Sequence, residues 1–324
     1  MTGWTIGIIG GSGLYAIDAL EDVETLMLDT PWGAPSDTLV RGRIGGVRFV
    51  FLPRHGRGHR LSPTEVNARA NIHALKLAGC TDVLAISAIG SLREELPPGH
   101  FVAVDQFIDR TVHRDTSFFG EGLVAHVSMA DPVCPRLSTL AAQAGERVGA
   151  SMVHGGTYLA MEGPQFSTRA ESHLYRQWGA DVIGMTAMPE AKLAREAELP
   201  YALIGMVTDY DCWREDEAHV EVDAILAQLS RNAATARALV EELAAMLPEE
   251  RAASPIDTVL DQALITHISH VDRAKADSLG PIVLRVLAKR AVEDQSSTIW
   301  LFLRVSRIRR YTISEMPIIA VTYQ

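Results

Sequence analysis

Apolar residues in this chain gather in short unbroken runs, at Ile6–Ile9, Val47–Leu52, Val83–Ile86, Phe101–Val104, Val182–Met185 and Ala202–Val207. A strand with one wet face alternates apolar and polar residues, whereas apolar residues at successive positions suit a strand covered on both faces. Gly, Pro, Asp or Arg bound the runs, and helical patterns lie between several of them, at Pro63–Ala78, Pro135–Val148, Ser167–Gly179 and Pro189–Ala197. Strands alternating with helices predict a wound α/β sheet. From Asp223 to Met246, Ile225, Leu226, Leu229, Ala233, Ala236, Leu239, Val240 and Leu243 fall at helical spacing and predict one long amphipathic helix closing the main domain.

The 324 residues, 47% of them hydrophobic, are enough for one large core. A formal net charge of −10 argues against nucleic acid or a membrane surface as partner, because both require a basic excess to neutralise phosphates. A small molecule is the expected ligand. Cys80, Cys134 and Cys212 have neither disulfide-framework nor zinc-knuckle spacing, which suits a reducing compartment. Met1-Thr2-Gly3-Trp4 leads into the first run without the basic and apolar segments of a signal peptide, and no apolar stretch reaches the roughly 18 residues of a membrane helix. A cytoplasmic protein is expected.

Chemistry-bearing residues follow the strand-like runs. After Ile6–Ile9 comes Gly10-Gly11-Ser12-Gly13, where missing Cβ atoms let backbone N–H groups approach an anion and the Ser12 hydroxyl adds a donor. A plain tight turn fits the same residues, and so does a dinucleotide fingerprint through Gly11, Gly13 and Ala16 with Asp29 beyond. After Val47–Leu52 comes Pro53-Arg54-His55-Gly56-Arg57-Gly58-His59-Arg60, whose guanidinium forks and imidazoles suit phosphate oxygens, or else surface carboxylates. Ser87-Ala88-Ile89-Gly90-Ser91-Leu92 reads as a loop of small residues with N–H groups for a ligand.

Met161-Glu162-Gly163-Pro164-Gln165-Phe166-Ser167-Thr168-Arg169-Ala170-Glu171 ends in a helix start with Ser167 as the cap, and Phe166 either stacks on a flat ligand or belongs to the core. In Gly184-Met185-Thr186-Ala187-Met188-Pro189-Glu190, Thr186 either caps a helix or holds a phosphate oxygen. Thr208-Asp209-Tyr210-Asp211-Cys212-Trp213 places two carboxylates beyond the end of Ala202–Val207, where ligands of open α/β sheets gather. One acid of raised pKa can protonate a leaving nitrogen while an ionised neighbour accepts from an exocyclic amine. A helix cap is the plainer reading, and a metal pair lacks supporting hard ligands.

Taken together and in order, Arg54-His55-Gly56-Arg57, Gly90-Ser91-Leu92-Arg93, Asp105-Gln106-Phe107-Ile108-Asp109-Arg110-Thr111, Glu162-Gly163-Pro164 and Thr208-Asp209-Tyr210-Asp211-Cys212-Trp213 resemble the trimeric purine nucleoside phosphorylase family, and within it the methylthioadenosine phosphorylase branch. The resemblance runs from Ile6 to about Leu247. It implies a single α/β domain over residues 1–250 with a central mixed, mostly parallel twisted sheet flanked by helices, followed by a helical extension at 251–290 and an atypical tail at 291–324. Ser254–Thr266 is only weakly similar to the end of microbial members, and Ser296–Gln324 to none.

The activity implied is phosphorolysis of 5′-methylthioadenosine to adenine and 5-methylthioribose 1-phosphate, a pentosyl transfer with inorganic phosphate as co-substrate, no cofactor and no metal. The resemblance assigns phosphate to Ser12, Arg54, His55, Ser87, the Ala88 backbone and Thr186, and purine and ribose to Phe166, Ser167, Met185, Asp209 and Asp211. Asp209 and Asp211 are the implied catalytic pair. Val222 and Ile225 line the implied 5′ pocket, joined by His126 from a neighbouring subunit of a trimer. Branches favouring 6-oxopurines carry asparagine at the first carboxylate position, so Asp209 implies adenine. Val222 and Ile225 suit a methylthio group, although adjacent His219 can bond a hydroxyl, which keeps adenosine and broader purine nucleosides open as substrates. A nucleotide-dependent oxidoreductase and a non-enzymatic nucleoside sensor are the readings of other classes.

Overall fold

A computed structural model describes residues 3–11, 17–214 and 222–293, without the side chains of 222–225. Eleven strands form one mixed sheet: β1 (Thr5–Gly10), β2 (Glu21–Leu26), β3 (Leu39–Ile44), β4 (Val47–Pro53), β5 (Asp82–Ser91), β6 (His100–Val104), β7 (Gln106–Asp109), β8 (Ser151–His154), β9 (Thr157–Ala160), β10 (Val182–Gly184) and β11 (Tyr201–Asp209). The helices are α1 (Ala68–Leu77), α2 (Pro135–Arg147), α3 (Arg169–Gln177), α4 (Ala187–Glu196), α5 (Val222–Met246), α6 (Leu260–Ala263), α7 (Arg273–Leu279) and α8 (Leu284–Glu293).

The expected doubly covered strands are β1, β4, β5, β6, β10 and β11. Alternate residues of β5 divide between two cores, Val83 and Ala85 facing α1, α4 and the C-terminal helices, Leu84 and Ile86 facing α2 and α5. Successive side chains of a strand point to opposite faces, so an apolar run supplies both layers at once. β5 is the hub, parallel to β1 along its first part, parallel to β11 from Val83 to Gly90 and antiparallel to β10 at its end. The pairings β1 with β4, β1 with β5 and β5 with β11 are all parallel, so their C-terminal ends share one edge.

Three local expectations change. Ser87–Ser91 is strand rather than loop, because Ser87 to Ile89 pair with Gly205 to Val207 and Gly90 pairs with Asp209 and Ile183. The cap of α3 is Thr168, not Ser167: its hydroxyl accepts from the Glu171 N–H while the Glu171 carboxylate accepts from Thr168, a reciprocal capping box. Helix α1 begins at Ala68, where the Asn67 side chain accepts from the Ala70 N–H, so Pro63–Asn67 lies outside it. The dinucleotide fingerprint loses its setting as well. Strand β2 starts only about a dozen residues after β1 and runs antiparallel to β3, which leaves no room for a crossover helix.

Helices α6 to α8 fold back on the sheet domain. The buried Glu198 carboxylate accepts from the Leu260 N–H at 3.0 Å and from Arg285 at 2.5 and 2.8 Å. The Ile265 N–H donates to Val124 O and the His126 N–H to Ala263 O, both at 2.8 Å, so the extension pins the segment around His126. Most of the atypical tail, and the side chains of Ser12, His219, Val222 and Ile225, lie outside the described residues. No described helix is long and apolar enough to cross a membrane.

Candidate active site

The shared C-terminal edge of β4, β1, β5 and β11 brings Pro53-Arg54-His55, Gly10, Ser87–Gly90 and Asp209 together. Arg54 is buried there: its N–H donates to Gly10 O at 2.9 Å, and its Nη1 and Nη2 donate to Ile86 O at 3.2 Å and Ile9 O at 3.4 Å. The expected open fork is occupied. Nε and Nη2 meet the Glu190 carboxylate at 2.5 and 3.1 Å, so four of the five guanidinium N–H donors have protein acceptors and one Nη1 N–H remains. Burial disfavours the cation, but the Glu190 charge and hydrogen bonds, with Tyr201 and Tyr158, together outweigh it and keep Arg54 charged.

The rest of the basic loop divides. Arg57 donates to Asp37 at 2.6 Å and Arg60 to Ser36 O at 2.8 Å, so the surface-pairing reading describes both. His55 is half-buried and stacks on His59 with ring centroids 4.2 Å apart. Its Nδ1 lies 2.9 Å from Leu61 O, and because a carbonyl only accepts, Nδ1 carries the proton. Burial, then the neighbouring Arg54 charge, lowers its pKa to about 4. At neutral pH Nε2 is therefore an acceptor, which replaces the expectation of a donating histidine.

Ser87 on β5 and Thr186 before α4 share a hydrogen bond of 2.9 Å between their hydroxyls. Thr186 occupies the cap position of α4 without a side-chain cap bond, and its N–H donates to the Tyr158 hydroxyl at 3.2 Å. Both hydroxyls thus face the edge rather than the helix. Ala88 follows on the same strand, in register with Met206.

Asp209 is the last residue of β11 rather than a residue beyond it. Its Oδ1 accepts from the Asp211 N–H at 2.8 Å and its Oδ2 from the Thr208 hydroxyl at 2.7 Å. Asp211 has a positive φ of 54°, the left-handed turn that folds its N–H back onto Asp209. Burial pushes the Asp211 carboxyl above the usual aspartate value; the Asp209 charge adds to this, while the Ser172 and Ser167 hydroxyls oppose it. Gly90 makes room, since a Cβ there would lie 3.0 Å from Asp209 Oδ1 and 3.1 Å from Ile183.

The Cys212 thiol donates to Ser167 O at 3.2 Å, which joins the Phe166-Ser167 segment to the two carboxylates. Phe166 is 48% exposed and is not a core residue. Met185 packs on Gly163, where an added Cβ would lie 2.5 Å from its Sδ. His126 is exposed. Among the described residues no cluster of three or more His, Cys, Asp or Glu is arranged to hold a metal.

Sequence reasoning assigned no role to Glu190, Thr208 or Tyr158. Only Glu190 carried a local signal, a carboxylate set among the apolar positions of α4, where burial demands a cationic partner.

The model of the phosphorylase superfamily matches residues 5–245. The chain belongs to the phosphorylase superfamily. An S-methyl-5′-thioadenosine phosphorylase of Cereibacter sphaeroides is 56% identical to this phosphorylase over 284 residues, covering 87% of this chain and 98% of the relative. A methylthioadenosine phosphorylase crystal structure sourced from an antarctic soil metagenomic library superposes with a TM-score of 0.82 at 46% identity, covering 87% of this chain and 99% of the other. A methylthioadenosine phosphorylase of Schistosoma mansoni in complex with adenine gives a TM-score of 0.72 at 42% identity, covering 76% and 93%. The mixed, mostly parallel sheet with flanking helices is that of the family.

Proposed function

We propose that this phosphorylase cleaves 5′-methylthioadenosine with inorganic phosphate, releasing adenine and 5-methylthioribose 1-phosphate. The observation that carries the reading is the Asp209 and Asp211 pair at the end of β11, on the same sheet edge as the Ser87 and Thr186 hydroxyls and Arg54. One half of that edge suits a purine with an exocyclic amine, the other an oxyanion. The names of the relatives support methylthioadenosine, and the adenine bound in one of the solved structures supports a 6-aminopurine as the base.

In the reaction a phosphate oxygen forms a bond to C1′ as the C1′–N9 bond breaks and its electron pair passes to the purine. The carboxyl pair relieves the charge gathering on the base: Asp209 is assigned the hydrogen bond or proton at N7 and Asp211 the 6-amino group, with one proton shared between them that burial favours on Asp211 while the base is absent. Ser12, Ser87, the Ala88 backbone, Thr186 and the remaining Arg54 N–H orient the phosphate. His55, with Nδ1 held by Leu61 O, presents Nε2 as an acceptor for the O–H of hydrogen phosphate, which orients the attacking oxygen; the ester forms as its monoanion and then loses that proton to water. Phe166, Ser167 and Met185 border purine and ribose, and Val222, Ile225 and His126 of an adjacent subunit the 5′ group. Residues 1–250 form the catalytic domain of a cytoplasmic trimer that needs no cofactor, and 251–290 secure the His126 segment.

Phosphate-dependent release of adenine from methylthioadenosine tests the reading, and a protein that binds the nucleoside without releasing adenine refutes it. Asp209→Asn is expected to lose about 10²–10⁴-fold in kcat/KM on 6-aminopurine nucleosides; full retention would remove Asp209 from the chemistry. Adenosine turned over as efficiently as methylthioadenosine would defeat the methylthio preference.

A further inference from the structure

Arg114 follows β7, and its side chain, 5% exposed, passes between two segments of the site. Nη1 donates to Met185 O at 2.5 Å and to Met188 O at 2.7 Å, Nη2 donates to Glu162 O at 2.6 Å, and Nε donates to Glu162 Oε1 at 3.0 Å. Four of its five N–H donors are thereby committed to the protein. The two methionine carbonyls stand on either side of Thr186, so one planar guanidinium bridges the turn that carries the phosphate-side hydroxyl. A lysine has no such fork.

Glu162 holds Arg114 in turn. Its Oε1 also accepts from the Thr64 hydroxyl at 2.5 Å, and its Oε2 accepts from the Val112 and His113 N–H groups at 2.6 and 3.1 Å. Burial works against the carboxylate, yet these donors and Arg114 hold its pKa down to about 2, so it stays charged through the neutral range. The segment of Thr64 therefore converges on one ion pair with those of Val112 to Arg114 and of Glu162, which continue the paired strands β7 and β9. The Met185 side chain, lying on Gly163, adds a packing contact between the same segment and the same turn.

We propose that Arg114 is a positioning residue of this phosphorylase: by holding the Met185 and Met188 carbonyls it sets where Thr186 and Met185 meet phosphate and ribose, and Glu162 is the group that sets Arg114. With four donors committed, Arg114 acts on the reactants through the turn. Arg114 lines one cleft with Arg54, Thr186 and Glu190, which places the guanidinium beside the phosphate half of the edge. The inference rests on the phosphate assignment made above.

The test uses the full chain with Arg114→Met, Arg114→Lys and Glu162→Gln, each titrated with inorganic phosphate by thermal shift and assayed for adenine release. Both Arg114 variants are expected to bind phosphate at least tenfold more weakly, with kcat at saturating phosphate within about threefold of the parent. Glu162→Gln weakens binding by at least threefold, and adding it to Arg114→Met changes little, since both break one linkage. Unchanged phosphate affinity in a folded variant overturns the proposal, as does a fall in kcat with the phosphate KM unmoved. If Arg114→Met does not fold, Thr64→Val and Glu162→Gln decide the matter by the same criteria. A parent protein that binds phosphate but releases no adenine faults the substrate reading alone, because the phosphate titration still reads Arg114.

Discussion

Arg54 and Glu190 meet face to face in the core, with 2% and 1% of their side chains exposed and two N–H donors of one on two oxygens of the other. A buried pair of this kind is strongly destabilised when one member is removed, because the survivor keeps its desolvation cost without its partner. Arg54→Ala is therefore expected to lower unfolding free energy by about 3–5 kcal/mol as well as raising the KM for phosphate. Urea unfolding beside phosphate kinetics separates the two effects, and a loss below about 1 kcal/mol would mean that Glu190 finds another partner.

Gly90 supplies a second prediction. A methyl group there meets the carboxylate on one side and Ile183 on the other, and Asp209 is the group more able to move. Gly90→Ala is expected to cost about 1–3 kcal/mol of stability and at least tenfold in kcat/KM on the nucleoside. Unaltered turnover would show that Asp209 tolerates displacement.

A third concerns acid. His73 on α1 is buried beside Phe118, and burial lowers its pKa from 6.5 to about 4. Above pH 6.5 the ring is neutral in folded and unfolded chains alike, so its contribution is fully present. Below that the unfolded chain takes up the proton first, and stability falls as pH drops from about 6.5 towards 4. His55 acts in the same direction over the same window. Unfolding free energies from urea titrations at pH 7 and 4.5 should differ by on the order of 2 kcal/mol for each histidine, and His73→Leu should remove its share. An identical pH response in His73→Leu would mean that the fold does not lower the pKa of the ring.

The fourth tests the hold of the extension on His126. The Thr266 hydroxyl accepts from the Val124 N–H at 2.8 Å. Thr266→Val removes that acceptor, and the amides of Val124 and His126 should then exchange with solvent about tenfold faster, the equivalent of one hydrogen bond. Unchanged exchange would assign the hold to the apolar contacts of Leu264 instead.

The strands covered on both faces were readable because burial on two sides leaves no polar position to blur the pattern. β2 was not: Glu21–Leu26 is an exposed edge strand whose residues carry little apolar signal. The second half of β5 read as a loop because Ser87, Ala88 and Gly90 are small, and at Gly90 the space that a larger side chain would fill is taken by Asp209 and Ile183. The α3 cap slipped by one residue between two adjacent hydroxyls, although Thr168 and Glu171 carried the spacing that decides it. The positions of the site residues followed from strand ends, but their pairings did not. Glu190 lies 136 residues from Arg54, and no local pattern announces that a fork meant for phosphate is already engaged.

The bonds from Ala263 and Ile265 to the segment around His126 also have a dimension in time. Both carboxylates of the edge have been synthesised by residue 211, whereas Ala263 emerges roughly 140 residues after His126, about 10–30 s later at ordinary elongation rates. A chain interrupted between residues 211 and 263 would carry a finished β11 with both carboxylates and an unsecured arm.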